Sequence, residues 1–245
     1  MSVSALIAAA EKLSVQLDGL TFSAPVTHVY NPLDYAGAAH TQYLQQWGDQ
    51  PHPRRVIFLG MNPGPFGMVQ VGVPFGEVAI VHDWLRINAP IQQPLPMNPK
   101  RPIEGWACAR SEVSGRRLWG LFRERFGTPE AFFAEHFVAN YCPLAFFDQA
   151  RNVTPDKLPA AEMAPVIAAC DAHLRTLVET MQPEWVIGVG AYAEAQAVRA
   201  LASSQHQPQI GRVLHPSPAS PAANRGWAEA ATRQMMEQGI WGAAS

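Results

Sequence analysis

An α/β fold is predicted, with three layers (α/β/α) around a central four-stranded parallel sheet. Four short apolar runs, at 56–59, 137–140, 185–189 and 210–214, show the near-continuous hydrophobicity of strands buried on both faces. Helical patterns lie between and around these runs, the alternation that joins parallel strands through covering helices. The chain holds neither an internal repeat nor a low-complexity linker, so its 245 residues read as one domain, 1–245.

In chain order, residues 3–18 carry apolar positions at helical spacing. Residues 56–59 form the first strand and run into Gly60-Met61-Asn62-Pro63-Gly64-Pro65-Phe66-Gly67-Met68, a loop both freed by glycine and stiffened by proline. The proline-rich stretch 89–102 reads as a long surface loop. Ser114 is placed to cap a helix running to about Phe126. Thr128-Pro129-Glu130 opens another, with an N-cap, a proline at the first position and an early acid. Strand 137–140 is followed by a helix over 158–181, which Pro165 kinks or delays. Strand 185–189, helix 191–202, strand 210–214 and helix 224–238 complete the pattern, with the stiff loop His215-Pro216-Ser217-Pro218-Ala219-Ser220-Pro221 before the last helix.

Composition narrows the function. An apolar content of 48% excludes disorder over most of the chain. No apolar run approaches the ~20 residues of a membrane span, and the N-terminus lacks the basic region of a signal peptide. A soluble intracellular protein is expected, with no membrane partner. Cys108, Cys142 and Cys170 are an odd set without a CxxC pair, which argues against an iron–sulfur cluster or a cysteine-rich zinc site and for small buried hydrophobes. The net charge of −2 exerts no global pull toward nucleic acid. The cations, grouped at Arg54/Arg55, Lys100/Arg101, Arg110, Arg116/Arg117, Arg123/Arg125 and Arg212/Arg225, read as a solvated surface laced with ion pairs.

In open parallel sheets ligands bind beyond the carboxyl ends of the strands. Asn62, Asn140, Gly188-Val189-Gly190 and His215 occupy those ends. An amide at Asn62 cannot titrate, but it can hold a water or a substrate group; the alternative is a turn asparagine bonding its own backbone. His215, held extended by the following proline, can hydrogen-bond to charge developing on a leaving group, or serve a structural role. Asn140 interrupts an apolar run, so its amide has a partner: either a backbone loop or a planar ligand edge offering donor and acceptor together. Phe75, between glycines and proline, suits stacking on a flat ligand, whereas Phe66 reads as core packing beneath its loop. Gly188 and Gly190 weakly suggest a dinucleotide loop, with the third glycine missing.

Taken together, these segments resemble the single-strand-selective monofunctional uracil-DNA glycosylases, a branch of the uracil-DNA glycosylase superfamily. The resemblance rests on Gly60 to Met68, Gly72-Val73-Pro74-Phe75-Gly76-Glu77, Ser111-Glu112-Val113-Ser114-Gly115, Asn140-Tyr141-Cys142-Pro143-Leu144, Arg151-Asn152-Val153-Thr154-Pro155, and His215-Pro216-Ser217-Pro218 continuing to Ala223-Asn224-Arg225-Gly226-Trp227. It spans roughly residues 30–240.

The resemblance implies a uracil-DNA glycosylase-like fold and a DNA repair hydrolase that removes uracil, with C5-oxidised uracils beside it, from single- and double-stranded DNA. Asn62 would position the water and His215 would stabilise the departing base. Met61 and Gly64 would line the pocket, Phe75 would stack on the flipped base, and Asn140 would read its edge. Pro216, Ser217, Pro218, Ala219, Ser220 and Arg225 would belong to the loop that wedges into duplex DNA. Ala219-Ser220 lacks the basic wedge residue of some relatives, and Val71 replaces a hydroxyl residue. Neither metal nor cofactor is implied; the chain would act as a monomer, in the cytoplasm near the nucleoid if bacterial. The rivals are a glycosylase for deaminated purines, a damaged-DNA-binding module without catalysis and, weakest, a nucleotide-cofactor enzyme.

Overall fold

The computed structural model describes residues 3–48 and 53–242. Its strands are β1 (His28–Tyr30), β2 (Val56–Gly60), β3 (His136–Asn140), β4 (Ala145–Asp148), β5 (Arg151–Val153), β6 (Trp185–Val189) and β7 (Gln209–Val213). The α-helices are α1 (Val3–Leu17), α2 (Pro32–Tyr35), α3 (Gly37–Tyr43), α4 (Met68–Val71), α5 (Val113–Phe126), α6 (Pro129–Phe133), α7 (Ala160–Met181), α8 (Ala191–Leu201), α9 (Pro221–Asn224) and α10 (Trp227–Glu237). No helix among the described residues is long and apolar enough to cross a membrane.

The four predicted strands form one parallel sheet in the order β3-β2-β6-β7. Every residue of β2 is buried, as a central strand covered on both faces requires. Register assigns the covering helices. Phe58, paired with Val138 and Ile187, meets Phe122 of α5 and Trp241, so α5 and the segment after α10 cover that face. Gly188 lies on the other face: a Cβ there would come within 2.3 Å of the Glu194 backbone nitrogen. Glycine at 188 is therefore what lets α8 approach, and α7 and α1 pack outward from α8. The result is the three-layer α/β/α arrangement.

The structure adjusts several boundaries. The N-cap residue of α5 is Glu112, and Ser114 lies inside the first turn. Helix α7 begins at Ala160 and runs through Pro165. The helix expected over 224–238 is two elements, α9 and α10, because Gly226 at φ +139° breaks the helical path. Thr128 does cap α6, accepting from the Ala131 N–H at 3.2 Å. All three cysteines are buried and free. Arg54, read as a surface cation, is instead buried at 1% exposure, with the Trp47 and Phe133 carbonyls accepting from its guanidinium. Arg55 does sit in solvent, between Glu135 and Glu184.

Three short strands were not legible. β1, β4 and β5 form a second, antiparallel sheet in the order β1-β4-β5. The β4–β5 hairpin turns at Gln149-Ala150, with Gln149 at φ +52°, where the usual sequence signal is Asn-Gly or Asp-Gly.

His136 on β3 is buried at 1% exposure. Its Nδ1 lies 3.2 Å from the Phe132 carbonyl and its Nε2 accepts from Trp241 Nε1–H at 3.2 Å, a pairing that fits only the neutral ring with its proton on Nδ1. Protonating Nε2 would set two donors against each other, and burial pushes the imidazole from 6.5 down to about 3. Between those values the unfolded chain binds a proton that the folded chain does not, so stability falls as pH drops from 6.5 toward 3. A slope of up to about 1.4 kcal/mol per pH unit is expected from this ring. Urea denaturation between pH 7.5 and 5 should show the loss, and the double substitution His136→Phe/Trp241→Phe should remove this share of it. An unchanged slope in the double variant would show that His136 is not its source.

Candidate active site

Parallel register brings the carboxyl ends of β2, β3, β6 and β7 to one edge, with Gly60 beside Asn140 and Val189 beside Val213. Beyond that edge the pairing of β2 with β3 continues: Tyr141 N–H donates to the Gly60 carbonyl at 2.8 Å and Cys142 N–H to the Met61 carbonyl at 2.9 Å. These bonds hold the glycine-rich loop against residues 141–144. They bring the Asn62 Nδ2 within 3.2 Å of the Leu144 carbonyl, to which it donates. That bond orients the amide and leaves Oδ1 as an acceptor.

A cleft of about 840 Å³ opens at this edge. Met61, Asn62, Gly64, Phe75 and His215 line it, with Ser217, Pro218, Ala219 and Ser220 on one wall. Pro216 is buried beneath that wall and Arg225 is exposed beyond it. Asn140, expected in the same lining, is not among the residues that line it and lies beside the Phe75 ring. A Cβ placed on Gly60 would meet Asn140 Oδ1 at 2.2 Å and Phe75 Cε2 at 2.4 Å, so amide and ring flank the same glycine. Asn140 Nδ2 donates to Met68 Sδ at 3.2 Å, while its buried Oδ1 has no partner among the described residues.

Phe75 stands at φ +53°, a region a bulky side chain enters only under constraint, at a cost of order 1–3 kcal/mol. The constraint comes from α5. A Cβ on Gly115 would meet the Phe75 carbonyl oxygen at 2.0 Å, and Trp119 Nε1–H donates to the Pro74 carbonyl at 3.3 Å. The ring centroids of Phe75 and His215 are 6.2 Å apart.

His215 is positioned by its own loop and by β6. Ser217 N–H donates to its Nδ1 at 3.1 Å, so the neutral ring carries its proton on Nε2. Burial lowers the imidazole pKa, which keeps the ring neutral at physiological pH. Gly190, at φ +94°, leaves the space in which His215 packs; a Cβ there would lie 3.1 Å from the His215 Cβ. Gly188 and Gly190 thus make room for α8 and for His215, a packing role that replaces the dinucleotide reading.

The start of α5 ties the three site loops together, a role that the sequence reading did not assign. Glu112 Oε2 accepts from the Phe66 N–H at 3.2 Å and fills the space opposite two glycines: a Cβ on Gly64 would meet Oε2 at 2.5 Å, and one on Gly67 would meet Cγ at 2.8 Å. Burial pushes its carboxyl pKa up, against the pull of the Phe66 and Ser114 N–H groups. Gly115 abuts Phe75. Arg117 donates to the carbonyls of Pro216 (3.0 Å) and Ser217 (3.3 Å) and to Asn224 Oδ1 (2.8 Å), latching the loop that carries His215. Asn152 and Thr154, set by β5 and the chain after it, also line the cleft. The sequence signal for Glu112, Gly115, Asn152 and Thr154 was their place in the segments that carry the resemblance; Arg117, read as a surface cation, is instead bound to the His215 loop.

Arg117→Ala is expected to lower kcat/KM about tenfold, the equivalent of one charged hydrogen bond, and to speed amide exchange across 216–220. Arg117→Lys should recover only part, since an ammonium cannot span three acceptors in the guanidinium geometry. Unchanged exchange in Arg117→Ala would refute the latch. Among the described residues no three His, Cys, Asp or Glu side chains are grouped to hold a metal ion.

Comparisons with known proteins agree with this geometry. The family model for the uracil DNA glycosylase superfamily matches residues 47–238. Over 230 residues the chain is 46% identical to the single-strand selective monofunctional uracil DNA glycosylases of Bos taurus and Mus musculus, covering 94% of this chain and 84% and 82% of theirs. Among solved structures, that of Pedobacter heparinus SMUG2 superposes with a TM-score of 0.64 at 16% identity, over 95% of this chain and 97% of that one, a likeness of fold. With two rigid loops at the ends of parallel strands and a match running through nearly the whole chain, the protein belongs to the uracil DNA glycosylase superfamily.

Proposed function

We propose that the protein is a monofunctional uracil-DNA glycosylase: it hydrolyses the bond between uracil and deoxyribose in single- and double-stranded DNA, leaving an abasic site, and accepts uracils oxidised at C5. The observation that carries the reading is the unpartnered Asn140 Oδ1, buried beside the Phe75 ring. A buried acceptor without a donor costs about 1–3 kcal/mol, a cost that a ligand N–H repays. The imide edge of uracil offers that N–H next to a carbonyl acceptor, matching the amide's acceptor and donor pair. Family membership and the named relatives support the same chemistry.

A uracil turned out of the DNA stack would rest on Phe75 with its edge toward Asn140, the ring contact offsetting part of the few kcal/mol that extrusion costs. The C1′–N1 bond breaks first, its electron pair leaving with the base, so that the sugar becomes cationic and the uracil anionic. His215 donates its Nε2–H toward the charge gathering on the uracil oxygen. Asn62, oriented by Leu144, holds through Oδ1 the water that bonds to C1′; the water's proton passes to solvent or to the departing base. A weakly activated water suffices because its partner is already a cation. Gly64 lines the cleft with backbone alone, the space of its absent side chain being taken by Glu112; acceptance of C5-oxidised uracils follows from the resemblance.

The test is incubation of the purified chain, in EDTA, with single-stranded and duplex oligonucleotides carrying one uracil, 5-hydroxymethyluracil, hypoxanthine or xanthine. Strand scission that appears only after alkali, on uracil and its C5-oxidised form, is expected. Cleavage confined to the purines would establish the deaminated-purine reading. Intact DNA with binding retained would establish recognition without catalysis.

A further inference from the structure

Phe66 corrects the expectation of core packing: it is partly exposed on the rim of the cleft. The Arg110 guanidinium lies over its ring, 3.8 Å from the centroid, and the Arg101 guanidinium lies 5.1 Å away. The ring is itself fixed, since Glu112 accepts its backbone N–H and Gly67 N–H closes a turn onto the Gly64 carbonyl at 3.2 Å. The result is an aromatic seat that presents an arginine in the lining of the cleft.

Arg110 is the arginine that lines the cleft itself; Arg225, exposed beyond 217–220, lies outside the lining, and three other arginines are committed. Arg117 is bound by the 216–224 loop, Arg212 pairs with Glu194 at 3.0 Å, and Arg151 pairs with Asp148 at 2.5 Å. Among the described residues no carboxylate lies within 4.0 Å of Arg110 or Arg101. Arg101 donates through Nε to the Ala150 carbonyl at 2.6 Å, which braces it without neutralising it. The 217–220 part of the lining, Ser217-Pro218-Ala219-Ser220, carries no charge, and the chain as a whole is at −2. A polyanion entering the cleft therefore meets Arg110, the arginine of its lining, at the Phe66 rim.

We propose that Arg110, seated on Phe66 and flanked by Arg101, is a phosphate-binding site for the DNA strand that carries the target nucleotide. The inference rests on the proposed glycosylase reading and adds to it the wall on which the strand backbone lies. Arginine suits the role because its planar fork binds phosphate bidentately while its face stacks on an aromatic ring. Phe66 limits the conformers of an exposed side chain that would otherwise lose freedom on binding.

The experiment measures fluorescence anisotropy of a single-stranded oligonucleotide bearing a tetrahydrofuran abasic analogue, in NaCl between 50 and 200 mM. Arg110→Gln is expected to weaken binding several-fold at low salt and to reduce the slope of log affinity against log salt by about 0.7, the share of one phosphate on a single strand. Arg110→Lys should recover the slope but not the full affinity, because the stacked fork is gone. Arg233→Gln, on α10 outside the cleft lining, controls for the loss of one positive charge anywhere. Equal slopes in Arg110→Gln and the parent, or an equal reduction in Arg233→Gln, would overturn the assignment while leaving the glycosylase reading intact. A parent chain that neither binds nor processes the DNA would instead remove the glycosylase reading itself.

Discussion

Asn62→Ala is expected to lower single-turnover excision of uracil by about 10²–10⁴-fold, the range lost when a group positioned on the reacting water is removed. The loss should fall on the chemical step, with binding of abasic DNA unchanged, because Asn62 is held by Leu144 and braces no other element. Asn62→Asp separates positioning from charge. A carboxylate can still accept from the water, but it has no N–H for the Leu144 carbonyl and would set oxygen against oxygen. Rates below the parent for Asp and lower still for Ala would support the donor to Leu144 as the orienting bond. Parental single-turnover rates in Asn62→Ala would end the water-positioning role and move attention to Thr154 and Asn152, uncharged polar groups that also line the cleft.

His215→Ala is the second large effect, about 10²–10³-fold on the same step, the usual consequence of losing one donor to a developing oxyanion. His215→Gln should recover part of this, since an amide N–H can replace the imidazole donor but not the Nδ1 acceptor for Ser217. The pH profile tests the protonation state. Burial lowers the folded-state pKa of His215, and protonation would place an Nδ1–H against the Ser217 N–H. The ring therefore titrates below the ordinary imidazole value near 6.5. Excision should show no inflection there and should decline only in more acid solution. An inflection at 6.5 in the parent that disappears in His215→Gln would show that the ring titrates as an exposed histidine.

The loops that carry Asn62, Phe75 and His215 each trace to the start of α5. Glu112 braces the loop of Asn62, Gly115 confines Phe75, and Arg117 latches the loop of His215. A helix start anchoring three loops makes the site a rigid assembly rather than a set of independent side chains. Substitutions at the start of α5 are therefore expected to act on catalysis without touching substrate.

The parallel sheet was legible because its signal is local. Strands buried on both faces must be apolar at nearly every position, and residues 56–59 and 185–189 are. The edge on which Asn62 and His215 meet followed from topology, since right-handed crossovers leave all four strand ends together. The second sheet was not legible. Strands of three or four residues carry too little alternation, and the Gln149-Ala150 turn lacks its customary residues. Arg54, charged and next to Arg55, showed no local sign that one guanidinium would be buried among carbonyls and the other left in solvent.

For the site the division is sharper. Chain composition and order pointed to Asn62, His215 and Phe75 because rigid glycine- and proline-rich loops mark themselves in sequence. Only the folded structure set Asn140 beside Phe75 rather than in the open cleft, exposed Phe66 under Arg110, and gave Glu112 and Arg117 their contacts. Those contacts join residues 46 and about 100 positions apart, and no periodicity or turn chemistry encodes them. They exist because close approach at Gly60, Gly64, Gly67 and Gly115 leaves space that one particular neighbour fills, and which neighbour fills it is decided when the layers pack.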